Sequence, residues 1–274
     1  MLSLKRILDF YIFSNIHVAF AGFCITKITL LKFNVFNNLV PFFVAFSILA
    51  SYNFIRFYEI KTKRLSWFKS WFLNNKFKVS VLSIISIIMV IFITFFTSFN
   101  LKSLIILFPF AVMTVFYVIP FFKTEKMEFS FRYFPTVKIF SIALAWAGIS
   151  VLFPLVEAEI KFNSTIYIEF IQRILILIAI TIPFDIRDVK SDFKSLKTLP
   201  QLFGVKKSKI LGTVLLVLFV ILGFWNNFFL TTDIIIAIIT GIFLWFSSEI
   251  KSRYYTGFWV ESIPIIWLIL IIFN

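Results

Sequence analysis

The feature that most constrains this chain is a succession of apolar runs, each close to twenty residues, separated by short loops rich in Lys and Arg. The runs fall at about 11–31, 37–55, 79–98, 103–122, 138–157, 167–184, 210–226, 233–250 and 257–273. A helix that crosses a bilayer needs roughly 20 mostly apolar residues. Within lipid the backbone must satisfy its own hydrogen bonds, which leaves helices or a closed barrel. Stretches such as "VLSIISIIMVIFITFF" carry no period of two, so barrel strands are excluded. The expected fold is an all-α integral membrane protein, a bundle of nine transmembrane helices. No Gly/Ser-rich or Pro-rich linker divides it, so residues 1–274 are expected to form a single transmembrane domain.

Composition agrees. The chain is 61% hydrophobic and 15% charged, with a mean hydropathy of +1.00. A soluble domain is about 45–50% apolar and about one quarter charged. The net charge of +14 does not point to nucleic acid, because the basic residues are spread over short loops between apolar runs. With the N-terminus placed in the cytoplasm, only Lys27, Lys32, Lys102, Lys161 and Arg173 fall on the far side or inside spans. Every other Lys and Arg lies in a cytoplasmic segment, as the positive-inside rule requires. No Ala-x-Ala-like site follows the first run, so a retained first helix is expected, not a signal peptide.

Polar residues inside apolar runs are functional candidates by default. Glu169 and Arg173, four apart, are expected to form an internal pair. Glu261, beside Ser262 and Pro264, suggests a polar, kinked interior. Glu249 is expected to pair locally with Lys251 or Arg253. His17 reads as a packed helix histidine ahead of a catalytic base. The lone Cys24 permits neither an intramolecular disulfide nor a cysteine metal site. Trp67 and Trp71, with Phe68 and Phe72, suggest an amphipathic helix lying on the cytoplasmic interface.

The acidic residues are few, yet Asp185, Asp188 and Asp192 stand three and four positions apart at the end of the sixth run, within "TIPFDIRDVKSDF". That spacing puts them on one helical stripe. Oxygen-rich clusters of this kind suit Mg²⁺, which keeps several waters and bridges to phosphate oxygens. The alternative is a solvated loop whose carboxylates pair with Arg187 and Lys190.

"DIRDVKSD" resembles the second aspartate motif of the UbiA-type intramembrane prenyltransferases, in the loop between helices six and seven of nine. "LKTLPQLFG" (196–204) resembles the segment that follows it, "YVIPFFK" (117–123) is similar to the family's Tyr…Pro…Lys element, and "VKIFSIALAWAG" (137–148) to its fifth helix. The resemblance implies a UbiA-like bundle with cytoplasmic cap loops in a bacterial inner membrane, with the N-terminus and both motif loops cytoplasmic. It implies Mg²⁺-dependent transfer of a prenyl group from a prenyl diphosphate to an aromatic or other lipid-soluble acceptor. Membrane lipids are then its surroundings, and no obligate protein partner is expected. Asp185, Asp188 and Asp192 would hold the metal, with Tyr117 and Lys123 at the diphosphate.

The family's first motif, N-D-x-x-D-x-x-x-D, corresponds to "NFIRFYEIK" (53–61). Asn53 is kept, but Phe54, Phe57 and Lys61 occupy the aspartate positions. Two readings follow. Arg56 and Lys61 take over diphosphate binding, with Glu59 positioning Arg56; or the protein is a catalytically inactive UbiA-like membrane protein with a lipid-binding or assembly role. On the first reading Asn53, Arg56, Lys61, Tyr117 and Lys123 contact the substrate.

Overall fold

The computed structural model describes residues 2–61, 66–120, 122–123, 128–131, 137–191, 196–226 and 228–273. Its helices are α1 (Leu2–Phe13), α2 (Ile16–Lys32), α3 (Leu39–Lys61), α4 (Ser66–Thr97), α5 (Leu101–Val115), α6 (Val137–Ala147), α7 (Phe153–Glu157), α8 (Ser164–Asp188), α9 (Leu199–Asn226), α10 (Leu230–Phe246) and α11 (Ile263–Ile272). Gly148–Leu152 is a π-helical turn joining α6 to α7, and a second one, Tyr255–Val260, leads into α11. A two-residue hairpin pairs β1 (Phe122–Lys123) with β2 (Glu128–Phe129).

The architecture is that of an all-α membrane protein. Among the described residues, six helices are long and apolar enough to cross a membrane, and α1 with α2 makes a seventh if the bent pair is one span. The nine runs each coincide with helix, but nine full-length spans do not appear. α5 and α10 are shorter apolar helices. α5 stops at Val115 because the chain turns there, and the carbonyl of Phe116 accepts from the amide of Phe131. α10 stops at Phe246, where Ser247 is extended and its hydroxyl returns to the Leu244 carbonyl. The amphipathic surface helix expected around Trp71 is instead the first part of α4, continuous with the span that follows.

α4 shows what the outside is made of. Ile84, Ile85, Ile88, Ile91, Phe92 and Phe95 all point outward and are exposed. Such a face on a monomer in water would exceed any ordinary apolar patch. α8 is the opposite case. Ile176, Ala179, Ile182 and Ile186 are fully buried, and α8 joins the two main core clusters. It packs on α6, α9 and α10.

Two backbone details follow from residue type. α1 and α2 meet at 59°, and the corner is Asn15, at φ +66°. Asparagine tolerates this left-handed conformation better than most side chains. At the π turn, a Cβ on Gly148 would stand 2.1 Å from the Phe110 ring, so only glycine lets α5 approach.

At the end of the bundle away from the basic loops, four charges are buried together. Glu169 accepts from Arg173 Nη2 at 2.6 Å and from Lys32 Nζ at 3.1 Å, and Lys32 reaches Asp233 at 3.4 Å. Gln172 donates to Asp233 at 2.9 Å, and both cations lie over the Trp267 ring. The expected Glu169–Arg173 pair is present; Lys32 and Asp233 extend it into a balanced cluster tying α2, α8 and α10.

Candidate functional site

A cavity of about 430 Å³ opens at the end of the bundle that carries the basic loops. Its wall is built from stripes on several helices. On α8 the lining residues are Leu177, Ile180, Thr181, Phe184, Asp185 and Asp188, one face read at intervals of three and four, joined at the mouth by Arg187. Over that stripe, about 16 Å at 1.5 Å per residue, the wall passes from aliphatic to hydroxyl to carboxylate. α6 repeats the gradient from its own N-terminus: Lys138 and Ser141 at the rim, Ala145 and Trp146 below. The last segment contributes Arg253, Gly257, Glu261 and Pro264, with a second charge at Glu261. α3 supplies Tyr52 from depth and Arg56 at the rim. Each helix enters or leaves the bundle here, so each brings its charged end to the mouth and its apolar middle to the floor.

Asp185 and Asp188 therefore lie on a pocket and not in a solvated loop. Asp185 is almost fully buried and accepts from Lys138 Nζ at 2.9 Å. Asp188 is held by its neighbour Arg187, with Nε at 2.8 Å and Nη2 at 2.5 Å. Arg187 also donates to the Thr256 hydroxyl in the second π turn. Asp192 lies outside the described residues.

The α3 residues divide. Arg56 lines the cavity, and its Nη1 donates to the buried Glu59 at 3.3 Å, the pairing expected from their spacing. Asn53 is fully buried behind the wall, where its Oδ1 accepts from Asn15 Nδ2 at 2.8 Å; it is Asn15 that faces the cavity. Phe54 points outward, exposed, and Phe57 packs edge-on against Phe72 at 4.7 Å. Lys61, the last residue of α3, is exposed and does not line the cavity. Tyr117 does line it. Lys123 lies in β1 opposite Glu128, with its side chain outside the described part.

Three cations and an aromatic wall were not singled out as site residues from the sequence. Lys138, Arg187 and Arg253 read there as loop charge. Arg253, just before the last span, shows how crowded the mouth is. Burial lowers its pKa, and the guanidinium groups of Arg187 and, less, Arg56 add to that, while Asp188 opposes it. Tyr52 and Trp146 meet edge-on, and the indole N–H donates to the tyrosine hydroxyl at 3.1 Å. The signal available was the spacing 253, 257, 261, 264, a helical stripe with a charge at each polar step.

No family model, curated protein or solved structure matches this chain. The site must be read from its own chemistry.

The described carboxylates do not by themselves gather around a Mg²⁺ ion, and Asp192 lies outside them. Among the described residues no three His, Cys, Asp or Glu side chains come together. Asp185 and Asp188 each already hold a cation, and α3 contributes Arg56 to the wall, with Phe54, Phe57 and Lys61 at the positions where the resemblance would place acids. What the arrangement offers is a small, mostly apolar chamber under a rim of paired and crowded charges. It lies at the low end of the roughly 300–1,000 Å³ typical of ligand pockets. The other polar residues have structural partners. His17 bonds Tyr11, the Phe258 carbonyl and Ser262, as a packed histidine should. Glu249 pairs with Lys190 at 2.7 Å and not with the neighbours expected from sequence. That hydrogen bond raises the Lys190 pKa above the ordinary lysine value.

Proposed function

We propose that the protein binds a prenyl diphosphate, with the isoprenoid chain in the cavity and the diphosphate at the charged mouth, and transfers the prenyl group to a lipid-soluble acceptor. The observation that carries this reading is the gradient along one face of α8, from Leu177 to Asp188, repeated on α6. An amphiphile with an apolar tail and a compact anionic head is the ligand such a wall complements. Nine crossings, with the N-terminus and the mouth on the cytoplasmic side, are part of the proposal; the positions of the basic loops support it.

The chemistry assigned to these residues is electrostatic. The allylic C–O bond breaks and its electron pair leaves with the diphosphate. A nucleophilic atom of the acceptor bonds to that carbon and gives up its proton to the departing diphosphate. Arg56, Lys138, Arg187 and Arg253 stabilise the negative charge that develops on the leaving oxygen, as donors fixed in a water-poor site do. The apolar wall keeps water from the allylic cation. The faces of Trp146, Tyr52 and Phe184 supply electron density to it. Tyr117 lies within reach of the same chamber. Lys61 is given no direct role, since its side chain is exposed away from the wall.

The test is diphosphate release by the purified full chain in lipid nanodiscs, with allylic diphosphates of increasing length and a membrane lipid extract as the source of acceptor. Release that depends on donor and extract is expected. A folded protein that releases nothing from any donor refutes transfer. Binding without release would favour a second reading, a lipid-binding protein without catalysis. The outward turn of Phe54 and the packing of Phe57 favour that reading, because they leave the α3 wall without acids.

A further inference from the structure

We infer that the anionic head at this mouth is gripped by the chain's own guanidinium and ammonium groups and not through a divalent metal. This rests on the diphosphate reading above and deepens it.

The first ground is occupancy. A carboxylate that ligates a cation must present free lone pairs to it. Asp185 gives one oxygen to Lys138 at 2.9 Å. Asp188 gives both oxygens to Arg187, at 2.8 and 2.5 Å. A metal at either carboxylate would have to share it with a cation that is covalently part of the wall and already in contact.

The second ground is the wall opposite. A diphosphate–metal clamp needs acids on more than one side of the anion. On α3 the only acid near the mouth, Glu59, is buried behind Arg56 and paired with it. The group that α3 presents to the cavity is Arg56 itself.

The third ground is the charge balance of the wall. The described lining carries four cations, Arg56, Lys138, Arg187 and Arg253, against the carboxylates Asp185, Asp188 and Glu261. Three of the cations are guanidiniums brought from α3, from α8 and from the segment before the second π turn, close enough that Arg187 and Arg56 both depress Arg253. A guanidinium carries five N–H donors and an ammonium three, so groups already paired with carboxylates can still donate to an anion placed between them. Guanidinium forks are suited to phosphate oxygens in pairs. In this arrangement Asp185 and Asp188 neutralise part of the charge of Lys138 and Arg187 at the rim and do not touch the ligand.

The two arrangements predict opposite signs for one substitution. At a metal site, Asp188→Asn removes a ligand and weakens the complex at least tenfold. At a cationic clamp it removes a negative charge beside the anion, so affinity stays within threefold or rises. The experiment measures the affinity of farnesyl diphosphate and of inorganic pyrophosphate for the full chain in nanodiscs, with excess Mg²⁺ and with EDTA. Asp188→Asn, Asp185→Asn, Arg56→Gln and Arg253→Gln are measured alongside, each checked for folding by thermal melting. The clamp predicts farnesyl diphosphate affinity within threefold between Mg²⁺ and EDTA, no loss in either Asp→Asn variant, and at least tenfold loss in each Arg→Gln variant. Weaker binding of pyrophosphate is expected, because it lacks the tail. Affinity abolished by EDTA, or by either Asp→Asn change in a folded protein, overturns the inference and leaves the diphosphate reading standing. No binding of either probe with or without Mg²⁺ overturns the diphosphate reading itself. Should Asp188→Asn fail to fold, Asp185→Asn and the EDTA arm decide alone.

Discussion

The buried charge cluster at the far end of the bundle makes the sharpest stability prediction. Glu169→Gln keeps the shape of the side chain and removes its charge. Glu169 now receives two cations, Arg173 at 2.6 Å and Lys32 at 3.1 Å, and all three side chains are at most 1% exposed. Without that charge, Lys32 keeps only Asp233 at 3.4 Å. Arg173 keeps neutral acceptors, the Ile25 carbonyl at 2.6 Å and the Thr29 hydroxyl at 3.1 Å. The cluster passes from neutral to one net positive charge with no water to solvate it. Breaking a buried pair by removing one partner costs about 3–5 kcal/mol. An unfolded reference state inside the membrane finds other partners and reduces such losses, so about 3 kcal/mol is expected.

The assay is equilibrium unfolding in mixed micelles. Lys32→Met and Asp233→Asn should each destabilise by a similar amount, because each alone leaves the cluster charged. Made together, they leave the Glu169–Arg173 pair intact and the cluster neutral. The double variant should therefore be less destabilised than the sum of the singles by about 1–3 kcal/mol. Single changes costing under about 1 kcal/mol, or a double variant that is simply additive, would show that the four groups do not act as one unit and would refute the reasoning.

Two further outcomes follow from the cavity and its hinge. Ala145 lines the chamber beside Trp146, so Ala145→Leu should shift donor preference toward shorter chains, read as a change in relative affinity across a prenyl diphosphate series with the melting temperature little changed. Asn15 combines a left-handed backbone with the 2.8 Å hydrogen bond to Asn53; Asn15→Ala should cost about 2 kcal/mol in unfolding measurements, from backbone strain and the orphaned Asn53 carbonyl together.

Much of the fold was legible because lipid imposes a simple rule on sequence. Apolar runs and loop charge mark helices and their ends, and helix was found at every run. Span lengths were less legible. What shortens α5 is a turn stabilised by a contact with Phe131, sixteen positions away from Val115 and invisible to any local pattern. The site was legible along single helices and not between them. The spacing of Asp185 and Asp188 put both on one face, and the cavity lies under that face. The i,i+3 pairing of Glu59 with Arg56 was likewise local and was found. That Lys138, Arg187 and Arg253 converge on the same mouth depends on how α6, α8 and the last segment pack, and a cation that marks a loop looks the same in sequence as one that lines a pocket. Asn53 matched a motif position, but the helix turns it inward to fix Asn15; Lys61 matched one too, and the helix turns it away from the wall.

The two charged ends of the bundle are built on different principles, and the difference separates structure from function. At the far end, Lys32, Arg173, Glu169 and Asp233 cancel, contact one another directly and adjoin no described cavity. Such a group balances its own charge; its effect is to hold α2, α8 and α10 in register. At the basic-loop end, the charges are drawn from separate helices to the rim of a chamber, their cations outnumber their carboxylates along the wall, and the space between them is large enough to admit a ligand. Separating like charges into water would relieve that crowding at no cost to the apolar core, since each sits at a helix end. The fold instead turns them inward over an apolar floor, and on the proposed reading an anion attached to a hydrocarbon tail completes both the rim and the floor.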